Sequence, residues 1–297
     1  MAEPATRTMS WAPPPLSGVR ALVVNVALSG IVPRKRDNPT LPVTTDEIVD
    51  CAVRCADAGA SVVHVHARDE HEEPVHRRDL YEAMLAGIRA RRPDLIVCVT
   101  TSSRAGGDPS HRFEGLEVDG ELLPDLASLT LGSYNTPRGV NVNPPDEMVR
   151  LLERMQELGV RPELEIFELG MVNTLWSLRD RGLVPDPPIA NVLLGVMGAS
   201  AAFVGDLARI VERLPPGTEW AVAGIGRFQR PMTLAAAAMG GNVRTGLEDN
   251  PRDTSPSWSN VEAVEFVTEV AALAERPVAT TAEARARFGL KPVATVG

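Results

Sequence analysis

Eight short apolar, β-branched runs alternate with helical patterns along most of this chain, and that alternation limits the folds open to it. The strands are read at Ala21–Ala27, Ser61–Ala67, Leu95–Thr100, Leu126–Leu131, Glu163–Glu168, Asn191–Gly195, Glu219–Ala223 and Asn242–Leu247. Helical patterns lie between most of them, at Thr45–Ala58, Arg77–Arg91, Pro145–Leu158, Val172–Arg181, Phe203–Leu214 and Arg230–Met239, and a last long helix follows at Asn260–Ala274. Local signals agree with these bounds. Thr44 or Thr45 can cap the first helix, and Asp46 and Glu47 in its first turn complement the helix dipole. Pro145 opens a helix that Gly159 closes. Strands separated by helices build a parallel sheet. Eight such units in 297 residues predict an α/β fold, a single closed (β/α)8 TIM barrel. The competing open, doubly wound sheet carries a glycine-rich dinucleotide turn after its first strand. Here Leu28-Ser29-Gly30 follows that strand, and Gly224-Ile225-Gly226 is only a GxG fragment far along the chain.

Composition narrows the function classes. The formal net charge of -9 opposes broad electrostatic binding to nucleic acid or anionic lipid. An anionic substrate therefore needs a local cationic pocket. No apolar run approaches the ~20 residues of a membrane-spanning helix. Cys51, Cys55 and Cys98 are too few for a disulfide framework, and buried thiols in a reducing cytoplasm is the plain reading. Residues 1–18, rich in Pro, Ala and Ser without an apolar h-region, are expected to form a flexible arm. Residues 19–297 then make up the barrel and a C-terminal helical extension.

The strongest chemical feature is His64-Val65-His66. Residues i and i+2 of a strand share a face, so both imidazoles point into the barrel near the strand's C-terminal end. Two imidazoles on one face supply two of the three protein ligands of a catalytic zinc site. The plainer alternative is a pair of core histidines bonded to their neighbours. A third ligand has to come from another strand end, and four carboxylates compete: Glu165 and Glu168 on the fifth strand, Glu248 and Asp249 at the end of the eighth. Glu248-Asp249 also reads as a solvated pair opening a turn before Asn250-Pro251. His71, His76 and His111 lie in polar segments and are expected at the surface. The second half of the chain has no histidine, which disfavours a metallohydrolase that draws further histidines from late strands.

Arg244, four residues before Glu248, suits a carboxylate clamp at the barrel mouth, or a simple pair with Glu248 or Glu165. Thr100, Thr101, Ser102 and Ser103 end the third strand, where hydroxyls can hold a substrate oxygen, although such residues are also common in loops.

Several stretches together resemble the β-keto acid cleavage enzymes. They are Asn38–Thr44 (NPTLPVT), Ala58–Asp69 (AGASVVHVHARD), Pro162–Met171 (PELEIFELGM), Trp220–Arg227 (WAVAGIGR) and Gly240–Asn250 (GGNVRTGLEDN), in order from about Val23 to about Leu290. The resemblance implies a zinc-dependent (β/α)8 barrel that condenses a β-keto acid with acetyl-CoA, releases acetoacetate and leaves a new acyl-CoA. It implies His64, His66 and Glu248 as zinc ligands, Asp249 as general base and Arg244 as oxyanion and carboxylate partner. Thr100 stands where the family usually has a serine that helps hold the keto acid. Thr101, Ser102, Val32 and Glu165 are expected beside the substrate, and a homotetramer is the implied assembly. A CoA-independent, aldolase-type lyase would use the same metal and base, and a non-catalytic barrel would keep the metal alone.

Two departures bear on specificity. Val32 occupies the place of a glutamate matched to the amino group of 3-keto-5-aminohexanoate, so that acid is not the expected substrate and a neutral or apolar tail is. Ser102-Ser103 replaces a Gly-Gly pair, which removes a site of close backbone approach and bears on the shape of the carboxylate pocket.

Overall fold

A computed structural model describes residues 20–105, 109–137, 139–252 and 258–293. The expected arm at residues 1–18 lies outside them. The barrel strands are β1 (Val24–Ala27), β2 (Val62–Val65), β3 (Ile96–Val99), β4 (Leu126–Thr130), β7 (Arg161–Ile166), β8 (Ile189–Leu194), β9 (Glu219–Gly224) and β10 (Asn242–Thr245). All pair in parallel, each with its neighbour in the chain, and β10 closes onto β1 through Val24↔Val243, Asn25↔Arg244 and Val26↔Thr245. The eight-strand closed barrel read from the sequence is the observed fold. β1, β2, β3, β4 and β10 are one to three residues shorter than the apolar runs, and His66 and Glu248 stand just beyond β2 and β10, in the loops at the mouth.

Residues alternate between two cores. Val63, Val65, Val97 and Val99 face outward into the layer between sheet and helices. Each such valine contributes roughly 1.5–3 kcal/mol when fully buried. Val62, Ile96, Leu126 and Ile189 face inward and pack against Ala284 and Phe288. Those last two belong to α8 (Thr281–Arg287) and the residue after it, so the C-terminal helix plugs the floor of the barrel.

Capping sets the helix starts. In α1 (Thr45–Asp57) the Thr44 hydroxyl accepts from the Glu47 amide while the Glu47 carboxylate receives the Thr44 amide. This reciprocal box satisfies two free helix-end donors. Ser259 and Glu262 repeat it in α7 (Asn260–Leu273), and Thr280 and Glu283 in α8. Between β3 and β4 stand two 3-10 turns, Pro109–Phe113 and Gly120–Leu122, rather than a full helix. After β4 the chain adds an antiparallel hairpin, β5 (Tyr134–Thr136) and β6 (Gly139–Asn141), that the strand pattern did not announce. The hairpin hangs over the mouth.

Candidate active site

The loop after β10 is built to aim two acids inward. Gly246 has φ +127, and a side chain there would meet the Ala27 carbonyl oxygen at 2.3 Å. Only glycine combines that backbone with so close an approach. The Gly246 carbonyl accepts from the Gln229 side chain at 2.9 Å and the Asn250 amide at 3.1 Å, and the Glu248 amide donates to Ala27. The Asp249 carbonyl accepts from the Gly226 amide at 2.7 Å. Glu248 and Asp249 are thus fixed parts of the site, not a solvated pair, and Asp249 is buried.

His64 and His66 meet as the alternation predicts, with their Nε2 atoms 3.0 Å apart. A Glu248 Oε2 oxygen completes the group, 3.7 Å from His64 Nε2 and 3.3 Å from His66 Nε2. That oxygen is buried and has no hydrogen-bond donor. Burial holds His64 well below its ordinary pKa and therefore neutral. Burial would raise the Glu248 pKa, but His66, Arg244 and His64 outweigh it and keep the carboxylate ionised. Two imidazoles, that of His64 neutral, and an orphaned carboxylate oxygen suit a divalent cation. The edges also fit, because zinc bound at ~2.0–2.1 Å in a tetrahedron separates its ligand atoms by roughly 3.3 Å. Of the four competing carboxylates, Glu248 is the one beside both histidines. Glu168 is exposed, outside β7.

Behind His64 lies a second buried group. His64 Nδ1 is 3.4 Å from the sulfur of Cys98, its register partner on β3, and 3.9 Å from Glu163 Oε2. Asn25 donates to Glu163 Oε1 at 2.7 Å. Burial pushes the Glu163 carboxyl up to about 7. These three side chains also satisfy metal-ligand spacing among themselves. They share His64 with the outer group and stand where a ligand histidine is oriented from behind.

Arg244, fully buried on β10, joins the acids. It donates from Nε and Nη2 to Asp249, from Nη2 to Glu248 Oε1 at 2.8 Å, and from Nη1 to Glu165 at 3.5 Å. Burial opposes its charge, but Asp249, Glu248 and Glu165 together raise its pKa well above the ordinary value. Glu165 also accepts from Thr130, its register partner on β4, at 2.7 Å. Burial is the main cause raising the proton affinity of Glu165, and likewise that of Asp249.

A cavity of about 460 Å3 contains His64, His66, Arg244, Glu248, Asp249, Glu165, Thr100, Ser102 and Val32 in its wall. Thr101 is not among them. Its hydroxyl donates to the Ser128 carbonyl at 2.5 Å, and its own carbonyl accepts from Arg112. Thr100 lines the cavity, and its hydroxyl accepts from the Ser102 amide at 3.1 Å. Ser103, in the departure from Gly-Gly, donates to Asn141 at 2.7 Å and accepts from the Val142 amide, tying the β3 loop to the hairpin. The hairpin in turn supplies Tyr134, Thr136 and Asn141 to the cavity, and Tyr134 stacks on Phe167 with ring centroids 4.0 Å apart. Sequence reading missed this wall. Pro137 and Gly139, between short β-forming triplets in the sequence, are the signal that carries it. His71 and His111 are exposed as expected. His76 is not. It is buried, hydrogen bonded through Nε2 to the Ser102 carbonyl at 2.9 Å and facing the Tyr81 hydroxyl.

A polar cluster converging on the C-terminal mouth of a parallel eight-strand barrel defines a (β/α)8-barrel enzyme site. The β-keto acid cleavage enzyme family model matches residues 21–290, and the chain belongs to that family. It is 38% identical over 276 residues to a 3-oxoadipate:acetyl-CoA acetyltransferase from Cupriavidus necator, covering 90% of this chain and 94% of the relative. It is 33% identical over 272 residues to a 3-keto-5-aminohexanoate cleavage enzyme from Acetoanaerobium sticklandii, covering 91% and 98%. Among solved structures, apo ObcA superposes with a TM-score of 0.77 at 23% identity over 85% of this chain and 66% of its own, a likeness of fold.

Proposed function

We propose that this enzyme condenses a β-keto acid with acetyl-CoA and cleaves the product, releasing acetoacetate and the CoA thioester of the remaining acyl part. The observation that carries this reading is the placement of Asp249 and Arg244 directly beside the three donor atoms of His64, His66 and Glu248 within one cavity. The name of the Cupriavidus necator relative pairs a keto acid with acetyl-CoA in the same way, and that of the Acetoanaerobium sticklandii relative gives cleavage of a keto acid. In the reaction the bond between the α- and β-carbons of the keto acid breaks, the α-carbon joins the acetyl carbonyl, and the CoA sulfur ends on the residual acyl group.

His64, His66 and Glu248 would hold zinc, which supplies Lewis-acid polarisation of the keto oxygen. Asp249 takes the proton from the α-carbon through a carboxylate oxygen, its proton affinity raised by burial. Arg244 holds Asp249 in place and presents positive charge to oxygen atoms that gain negative charge. Thr100, Ser102 and Glu165 orient the acid. Val32 offers an ammonium tail no counter-charge, so 3-keto-5-aminohexanoate is not the preferred substrate. Exposed Met197, Phe203 and Val204 are compatible with a homotetramer in the cytoplasm, which light scattering on the purified protein would test.

The test is a panel of β-keto acids incubated with the protein and acetyl-CoA and assayed for acetoacetate. Acetoacetate appearing only with acetyl-CoA supports acyl transfer. Cleavage that proceeds equally without acetyl-CoA contradicts it and selects the lyase.

A further inference from the structure

The cavity has two ends of different chemistry. Its inner end holds every carboxylate in its wall, Glu165, Glu248 and Asp249, and each is engaged by Arg244. Its outer end opens beside Ile31, Val32 and Arg104 into a wider basin of about 970 Å3 that the same three residues also line. Arg104 is half-buried at that junction. Its amide donates to the Ser102 hydroxyl at 3.3 Å, and its side chain hydrogen bonds to the Tyr134 hydroxyl. Among the described residues, no carboxylate forms an ion pair with it. Two neighbouring arginines are committed elsewhere, and Arg36 stands exposed in the wall of the outer basin. Arg34 pairs with Glu73, and Arg68 is spent on the carbonyls of Ser29, Gly30 and Glu72.

We infer that Arg104 binds a carboxylate at the far end of the keto acid, so that the preferred substrates are β-keto diacids. This assignment rests on the acyl-transfer reading for the placement of the reactive end. With that end beside His64, His66 and Asp249, the rest of the acid extends toward Val32 and Arg104. An apolar tail leaves the half-buried guanidinium facing a group that cannot replace its lost water. An ammonium tail meets like charge at Arg104, and of the glutamates farther out in the basin Glu73 is paired with Arg34 and Glu72 accepts from the Lys35 amide. A carboxylate gains a charge-assisted pair with the planar guanidinium fork, with the Tyr134 hydroxyl beside it. A cavity of 460 Å3 lies within the ~300–1,000 Å3 typical of small-ligand sites, ample for a short diacid. The neutral tail expected from Val32 alone thus gives way to an anionic one once Arg104 is placed beside it.

The experiment measures kcat/KM, at saturating acetyl-CoA, for three β-keto acids of equal length ending in a carboxylate, an amide or an ammonium. It uses the wild type, Arg104→Gln and Arg104→Lys. The wild type should favour the carboxylate over the amide by roughly 10- to 100-fold, the range of a charge-assisted hydrogen bond. Arg104→Gln should erase that preference through KM for the diacid, and Arg104→Lys should restore part of it. An amide preferred by the wild type overturns the assignment. So does an Arg104→Gln effect that falls on KM for acetyl-CoA and leaves the preference intact, which would place a CoA phosphate at Arg104. Calorimetric binding of adipate against hexanoate reads the same contact without turnover. Tighter adipate binding that is lost in Arg104→Gln supports the assignment, and equal binding of the two overturns it. Absence of turnover for all three acids contradicts the acyl-transfer reading, while the calorimetry still decides Arg104.

Discussion

Arg244 grips Asp249 with two parallel hydrogen bonds, Nε to Oδ2 at 2.9 Å and Nη2 to Oδ1 at 3.1 Å, in the buried wall of the barrel mouth. The pair fixes the orientation of Asp249, which does not join the histidines as Glu248 does. Asp249→Asn keeps the shape and most of the contact with Arg244 but removes the basic oxygen. Turnover should fall by about 10²- to 10⁴-fold, while metal content measured by mass spectrometry stays at the wild-type level. Near-normal turnover in this variant would remove Asp249 from the proton transfer.

Arg244 is also the only cation bonded to Glu165, Glu248 and Asp249 among the described residues. Removing it strands buried negative charge, which costs about 3–5 kcal/mol. Arg244→Ala should therefore unfold at markedly lower denaturant concentration than Arg244→Lys, which keeps the charge and loses the fork. Both should impair turnover. Equal stability of the two variants would show that the acids do not depend on this charge.

Gly30 supports the donor group from outside it. It has φ +62, and a side chain there would stand 2.3 Å from Glu248 Cγ. Gly30→Ala should cost about 1–3 kcal/mol in backbone strain and push Glu248 away from the histidines. Zinc affinity, followed by competition with a chromogenic chelator, should weaken on the order of 10-fold although every ligand residue remains. Unchanged affinity would mean that Glu248 is not held by this contact.

The barrel was legible because its evidence is local and repeated. Most strand runs are buried on both faces, and several helices carry their own start or stop signals, at Thr44, Pro145, Gly159 or Gly240. His64 and His66 were legible through the period-2 geometry of a strand. The third donor was not, since Glu165, Glu168, Glu248 and Asp249 are equivalent in sequence, and the family likeness rather than spacing singled out Glu248. What chain pattern could not convey is long-range closure. The contact of Glu248 with His66 depends on β10 meeting β1. The hairpin wall depends on Ser103 reaching Asn141. His76 looked like a surface residue because its neighbours are polar, yet Tyr81 and the Ser102 carbonyl enclose it. Arg104 went unnoticed for the same reason, as one cation among loop residues until the cavity gave it a place.

His76 gives the fold a pH dependence of known sign. Burial is the main cause lowering its pKa to about 4, while an unfolded chain protonates histidine near 6.5. The unfolded state therefore binds the proton first as pH falls. Stability is complete above about pH 6.5 and declines toward pH 4, by on the order of 3 kcal/mol at most. Urea unfolding at pH 7.5 and pH 5 should show a smaller decline in His76→Gln than in the wild type. Equal declines would assign the acid sensitivity to other groups.

The most direct measurement of the whole account is acetoacetate formation by protein stripped with a chelator and then titrated with zinc, in the presence of a β-keto diacid and acetyl-CoA. The account predicts no acetoacetate from the stripped protein and full recovery at about one zinc per chain, as a single His64–His66–Glu248 site requires. Glu248→Gln should fail to recover at the same zinc level. Undiminished acetoacetate formation by the stripped protein, or full recovery of Glu248→Gln at one equivalent, would contradict it.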